Sequence, residues 1–309
     1  MASSIPHLGP YERIGLVRAL APPGQPPAGA LVALARQATE RRLSAGATLR
    51  APEQPWPHVL VIVEGRVGVY RGQRLHYSAG PRDVVGMVEL LARTEQDTEV
   101  RIETDVLALE VTASTLLAVM EDHFGMTLGL VRALSQSLLT APAWLAQSAA
   151  RQRLAIPAGP TDHRDLVDRI TLLHASDVFA HARLDSVAEV AADYEEFRVQ
   201  AGATLWHESD AAPWMLVLLE GRIECASQGG PAFAWRPGSV PGMIEAFAAA
   251  PRWHAATAAT PVTGLRLDVD RFLDTLEDDF QMATDLLAAL AARVLEMPDT
   301  RPPGPDTPG

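Results

Sequence analysis

The chain has one cysteine, Cys225, so no intrachain disulfide can staple it and a reducing compartment is the expectation. Nor is there a surplus of positive charge: Lys and Arg number 26 against 38 Asp and Glu, a formal net charge of −12. No run of Lys and Arg interrupts that balance, and a general nucleic-acid or anionic-membrane binder needs the opposite sign. No stretch of ~20 apolar residues is present to span a bilayer. The N-terminus, MASSIPHLGPYERIG, lacks the basic-then-apolar layout of a secretory leader. Neither a Walker loop nor a dinucleotide fingerprint leads from a strand into a helix. Together these absences predict a soluble, cytoplasmic protein with no nucleic-acid and no membrane partner.

What the chain does contain is a copy of itself. AGATL at Ala45 to Leu49 recurs letter for letter at Ala201 to Leu205, 156 residues later. At the same offset Glu64-Gly65-Arg66 meets Glu220-Gly221-Arg222, and Gly86-Met87-Val88-Glu89 meets Gly242-Met243-Ile244-Glu245. Glu121-Asp122-His123-Phe124 meets Glu277-Asp278-Asp279-Phe280, and no gap is needed between Ala45 and Phe124. A period this long exceeds any solenoid unit, so each copy is expected to be a whole domain, within the usual ~100–200 residues. A hydrophobic fraction of 48% and a charged fraction of 21% are ordinary for packed soluble domains.

Within each copy the period changes along the chain. Tyr11 to Ala21 and Leu31 to Arg42 read as helices around a Pro-rich turn, with counterparts at Asp165 to His174 and Ser186 to Phe197. HVLVIVEGRVGVYRG from His58, and its repeat from Trp214, read as two strands and a tight turn. Further strands are expected near Arg101 to Val111 and Thr257 to Val269. Many short strands with turn-rich spacing predict a sandwich, barrel or jelly roll. Each copy closes with a helix, from Ser114 and from Asp270. In the second, Leu273, Leu276, Phe280, Ala283, Leu287, Leu290 and Val294 recur at three- and four-residue steps. That stripe suits packing on the barrel, and it also suits a homodimer through the closing helices. The expected organisation is a first domain over 1–140, a linker over 141–162 with room for a short helix, a second domain over 163–297 and a disordered Pro-rich tail over 298–309.

A helical start, a small β-roll with an E-G-R strand turn, a G-x-[IV] loop and a closing helix together resemble the cyclic nucleotide-binding domain family. The resemblance covers roughly 16–139 and 172–297, in tandem. It implies a mixed α and β fold: two β-rolls of jelly-roll type, each flanked by N-terminal helices and a closing C-terminal helix. It also implies a phosphate-binding cassette of the form G-E-[LI]-A-L-L-x-x-x-P-R-[AST]-A-[TS]. There the Gly allows close approach to the ligand, the Glu accepts from the ribose 2′-OH, and the Arg at +10 neutralises the phosphate.

The second copy reads GMIEAFAAAPRWHAAT from Gly242. Gly242, Pro251 and Arg252 fall on the motif, whereas Met243 stands where the Glu belongs, followed by Ile244. Losing that charged acceptor costs about 1.5–3 kcal/mol. Glu245 lies two positions on, where a short helix would point it elsewhere. Trp253 and His254 are bulkier than the usual small pair and would crowd a phosphate or stack near it. The first copy, from Gly86, has Met87 for the Glu and Gln96 for the Arg, with Glu95, Asp97 and Glu99 around it. Carboxylates there would repel an anion, so this cassette is expected to be dead. Because GM[IV]E is shared by both copies, it reads as a common design: either a different ligand, or a packing Met in an emptied cassette.

Other chemistry finds little support. A bicupin would need a close His-x-His pair with an acid and a later His, but the nine His are scattered, and no metal is expected. HESD at His207 to Asp210 collects a triad's residue types, but adjacent residues cannot converge as catalytic groups do, and the run falls on the family's [EQ]-G-[DE] turn. Cys225 reads as a strand residue. Bacterial relatives commonly carry a helix-turn-helix after the closing helix, and only the Pro-rich tail follows Met297. The expectation is a non-enzymatic regulatory protein acting through a protein partner. Any cyclic nucleotide would bind in the second repeat, and the alternative is a scaffold with two empty cassettes.

Overall fold

The structure, a computed structural model, describes residues 8–22, 26–52, 54, 56–93, 97–148, 165–174, 182–228 and 230–298. The expected disordered tail, apart from Pro298, lies outside these residues, as does the linker after Ser148.

The first copy opens with α1 (Pro10–Val17) and α2 (Ala28–Gln37). Its strands are β1 (Thr39–Leu43), β2 (Thr48–Arg50), β3 (His58–Glu64), β4 (Val67–Arg71), β5 (Arg74–Ala79) and β6 (Val84–Val85). The short helix α3 (Met87–Ala92) follows, then β7 (Glu99–Ile102) and β8 (Val106–Thr112). Helices α4 (Ala113–Asp122), α5 (Phe124–Leu139) and α6 (Pro142–Ser148) end this half. The second copy repeats the order with α7 (Leu166–His174), α8 (Leu184–Asp193), β9 (Glu195–Val199), β10 (Thr204–Trp206), β11 (Trp214–Glu220) and β12 (Ile223–Ala226). It continues with β13 (Phe233–Trp235), α9 (Met243–Ala248), β14 (Ala255–Ala258), β15 (Val262–Asp268), α10 (Val269–Asp278) and α11 (Phe280–Glu296).

The offset of 156 holds for whole elements, from α1 and α7 to the starts of α5 and α11, well beyond the letters that match. Each copy folds into two antiparallel sheets. In the first copy the strand orders are β1-β8-β3-β6 and β2-β7-β4-β5. In the second they are β9-β15-β11 and β10-β14-β12-β13. A counterpart to β6 is missing because Pro241 has no N–H to give a ladder, although its carbonyl still accepts from the Leu216 N–H at 3.1 Å. Val59, Leu60, Val61 and Ile62 on β3 are all buried, which marks the central strand of the first roll. Each such side chain contributes about 1.5–3 kcal/mol.

Two expectations need correction. The segments read as helical tails, up to Arg42 and up to Phe197, are strands: β1 pairs with β8, and β9 with β15. Their Glu and Arg residues favour helix locally, but the pairing overrides that weak preference. The expected two strands and tight turn at E-G-R are present, with the strands in different sheets: β3 pairs with β8 and β6, whereas β4 pairs with β5 and β7. Gly65, at φ +90°, turns the chain from one sheet into the other, and a Cβ there would overlap the carbonyl of Asp105. Finally, each closing helix is two helices, broken at His123 (φ −134°, ψ 72°) and at Asp279 (φ −128°, ψ 88°). Of the stripe, Leu276, Ala283, Leu287 and Leu290 are buried, and Leu273, Phe280 and Val294 are partly so.

The chain divides into two compact units inside α5, between Leu130 and Val131. The short helix expected after the first domain is α6.

Candidate ligand-binding cassettes

In both copies a left-handed glycine starts the cassette helix. Gly86 has φ +92° ahead of α3, and Gly242 has φ +83° ahead of α9. What lies against each glycine differs. A Cβ on Gly86 would overlap the ring of Trp56, whereas a Cβ on Gly242 would overlap Nη1 of Arg252. Both cradles are therefore occupied by the protein's own side chains.

Arg252 is 1% exposed. Its Nη1 donates to the Gly242 carbonyl at 3.1 Å, and its Nη2 donates to the Trp214 carbonyl at 2.6 Å. The guanidinium lies over two indoles, 4.4 Å from the ring centre of Trp206 and 5.0 Å from that of Trp214. Its main chain is also fixed, donating to Asp210 O and accepting from Ser209 N, each at 2.8 Å. The HESD run is thus the turn that holds the cassette arginine. His207 N–H donates to Asp210 Oδ2 at 2.7 Å, and Ser209 takes a positive φ of 72°.

Glu245 is buried. It is 2% exposed, and Oε1 lies 3.5 Å from Nδ1 of His254, itself fully buried. Burial raises the Glu245 carboxyl, while the Arg252 charge opposes the rise. Burial pushes His254 down to about 3, with Arg252 adding to the effect, so the imidazole is neutral at ordinary pH. Burial also lowers Arg252, opposed by Glu245 and Asp210, which serve as its internal counter-charges.

Aromatic rings fill the rest of the interior. Trp253 stacks on Phe233 with centroids 5.2 Å apart and planes 6° apart. His254 meets Trp253 at 4.5 Å, Phe233 at 5.0 Å and Trp206 at 5.7 Å. Met243 and Ile244 lie in the first turn of α9, Met243 partly exposed and Ile244 buried. Cys225 is buried in the same core, and burial raises its thiol far out of the reactive range.

The first cassette reaches a related arrangement by another route. Gln96 and Glu95 lie outside the described residues. Asp97 is exposed, and Glu99 accepts from Arg101 Nη2 at 2.7 Å and from Thr48 Oγ1 at 3.2 Å. The buried cation is Arg50, at the end of β2 and 4% exposed. Its Nε donates to Gln54 O at 2.8 Å, its Nη1 donates to Thr98 O at 2.7 Å, and it lies 5.0 Å over Trp56. Burial raises Glu89, the last letter of GMVE, and Arg50 is among the charges that oppose the rise. Met87 is partly exposed, like Met243. Position 50 corresponds to Trp206, and position 96 corresponds to Arg252. Each copy thus has one buried arginine stacked on tryptophan whose charge acts on the GM[IV]E glutamate, delivered from the end of β2 in the first and from the loop between α9 and β14 in the second. Sequence reasoning missed Arg50, Trp56, Trp206 and Trp214; the shared Glu in GM[IV]E was the available signal.

The cyclic nucleotide-binding domain model matches residues 40–123 and 196–279. The chain belongs to this family. Domains of this family are regulatory, non-catalytic modules. No curated protein matches the chain. Among solved structures, a regulatory subunit of a cAMP-independent protein kinase A from Trypanosoma brucei is similar, with 14% identity, 93% of this chain and 90% of that chain covered, and a TM-score of 0.35. The N-terminal domain of a transcriptional regulator from Streptomyces coelicolor shows 27% identity over 46% of this chain and 100% of that one, with a TM-score of 0.37. The sensor domain of the regulator DNR from Pseudomonas aeruginosa shows 19% identity over 44% and 96%, with a TM-score of 0.39. Among the described residues no group of three or more His, Cys, Asp or Glu could hold a metal, and no helix is long and apolar enough to cross a membrane.

Proposed function

We propose that the chain is a non-enzymatic, cytoplasmic regulatory protein whose two cassettes are closed by its own side chains. It works through protein contacts and not through a bound nucleotide. The observation that carries this reading is the placement of Arg252, buried between Trp206 and Trp214 and bonded to two carbonyls. A cyclic phosphate recruiting that guanidinium would break two charge-assisted hydrogen bonds, each about 1.5–3 kcal/mol. The combined loss, about 3–6 kcal/mol, lowers affinity by roughly 10²–10⁴. Glu245 would also be left buried without its counter-charge, and Met243 offers a ribose no acceptor.

One observation favours a second reading. Gly242 keeps its left-handed conformation, and Arg252 keeps its place ten residues on. A cyclic nucleotide that displaced the internal contacts would therefore bind the second repeat alone, one per chain. Calorimetry of the full chain against cyclic mononucleotides and cyclic dinucleotides separates the two. The proposal expects no saturable heat. A one-to-one isotherm that disappears in a folded Arg252→Gln variant would replace it with the second reading.

A further inference from the structure

Outside the cassettes, the duplication supplies its own control. In the first copy the outer face of the β2-β7-β4-β5 sheet is covered by a polar network. Tyr70 Oη donates to Glu103 Oε1 at 3.0 Å, and Ser78 Oγ donates to Glu103 Oε2 at 3.1 Å. Arg101 lies 4.5 Å over the Tyr70 ring and bonds Glu99. In the second copy every one of these positions is cut back. Tyr70 corresponds to Ala226, Ser78 to Ala234 and Glu99 to Ala255. Arg101 corresponds to Thr257, and Glu103 to Ala259.

Strand register confirms that the small residues share one face. Ala226 pairs with Ala255, and Glu224 pairs with both Thr257 and Ala234. Their neighbours Ile223, Cys225 and Ala256 point into the core. The truncated face makes room for α6, which brings Ala146 and Gln147 over it. Packing of α6 alone would account for the alanines if the space were filled. Among the described residues it is not: a cleft of about 790 Å³ remains between α6 and β12, β13 and β14. Small-molecule sites fall in the same range, roughly 300–1,000 Å³.

The cleft has an apolar floor that includes Ala226, Ala234 and Ala255, and two arginines on its walls, Arg222 and Arg236. Arg222 is paired with Glu224 at 3.1 Å, which also lines the cleft. The exposed Arg236 side chain has no hydrogen-bond or ion-pair partner among the described residues. On a chain of net charge −12, a cation without a partner among the described residues, set beside an apolar recess, selects for the opposite sign.

We infer that the cleft between α6 and the β12-β13-β14 face of the second copy is a binding site for a small amphipathic anion. The apolar body of the ligand lies on the alanine floor, and its carboxylate or phosphate meets Arg236. This site is separate from the cassettes and does not depend on whether they bind a nucleotide.

The test uses the full chain with the fluorescent anion 8-anilinonaphthalene-1-sulfonate as probe, and decanoate, decyl phosphate and decanol as competitors. Saturable probe binding is expected, displaced by both anions and, more weakly, by decanol. Decanoate and decyl phosphate together tell a carboxylate preference from a phosphate preference. Ala226→Tyr, which restores the first copy's side chain, should abolish probe binding while thermal unfolding stays unchanged. Arg236→Gln, on an exposed side chain, should weaken decanoate about tenfold and leave decanol competition unaltered. Absence of saturable probe binding would overturn the inference, as would equal anion competition in the wild type and the Arg236→Gln protein. Should Ala226→Tyr fail to fold, the Arg236→Gln comparison still decides.

Discussion

Nη1 of Arg252 lies 3.1 Å from the carbonyl oxygen of Gly242, ten residues earlier in the same cassette. A side chain that its family turns toward a ligand is here part of the loop's own framework. Its removal should therefore register in stability before it registers in binding. Deleting the guanidinium leaves the buried Gly242 and Trp214 carbonyls without their donor and Glu245 without its opposing charge, at about 1–3 kcal/mol for each unsatisfied group. Arg252→Gln should destabilise the second unit by that order in urea unfolding. Adding Glu245→Gln should recover part of the loss, since the carboxylate would no longer be buried alone. Additive single and double losses would show that the two groups are not coupled.

The glycines allow a graded comparison. Gly202 and Gly242 both have positive φ, +86° and +83°, but only Gly242 has Arg252 where a Cβ would go; around Gly202 the space is open. Gly202→Ala should cost about 1–2 kcal/mol from backbone strain alone. Gly242→Ala should cost more, because the Arg252 guanidinium must also be displaced. Chemical denaturation of the two variants measures the difference, and equal losses would show that the guanidinium yields freely.

Much of the architecture was legible before any coordinates. GM[IV]E and AGATL recur at one offset, and the whole element order obeys it. What escaped were features decided by tertiary partners. TERRL at Thr39 to Leu43 has helix-favouring residues and is a strand only because β8 lies beside it. A letter string also cannot say that the strands around Gly65 belong to different sheets. In the cassettes, Arg252 was visible through its spacing, whereas Arg50 was not. The first copy has its arginine at position 50, where the second has Trp206, so offset matching pairs each arginine with an unrelated residue.

His254 should make stability fall in acid. Its folded-state pKa is depressed from 6.5 to about 3, so between those values the unfolded chain holds the extra proton. The contribution is complete above pH 6.5 and is lost as pH falls toward 3, with a limiting slope of about 1.4 kcal/mol per pH unit. Glu245, raised by burial, acts in the opposite direction, and comparison with a His254→Gln variant isolates the imidazole. The stability advantage of wild type over that variant should shrink steadily from pH 6.5 downward in urea titrations. A gap independent of pH would mean that His254 is not held neutral.

Asp279 ties the α10–α11 break to the start of α8. Oδ1 accepts from Met282 N at 3.1 Å, and Oδ2 accepts from Arg183 N at 3.0 Å. Asp279→Ala removes the cap of α11 and should cost about 1–2 kcal/mol. Asp279→Asn, keeping one acceptor, should cost less. Hydrogen exchange should quicken first at the N-terminus of α11, and unchanged protection there would rule out the capping role.

The central claim is that the second cassette is closed by Arg252, Trp206 and Trp214, and the indole N–H signals of these two tryptophans in a ¹H–¹⁵N spectrum report on it directly. With cyclic AMP or cyclic GMP added to millimolar concentration, both resonances should stay where they are. A saturable shift of the Trp206 and Trp214 signals, at one nucleotide per chain, would contradict the account.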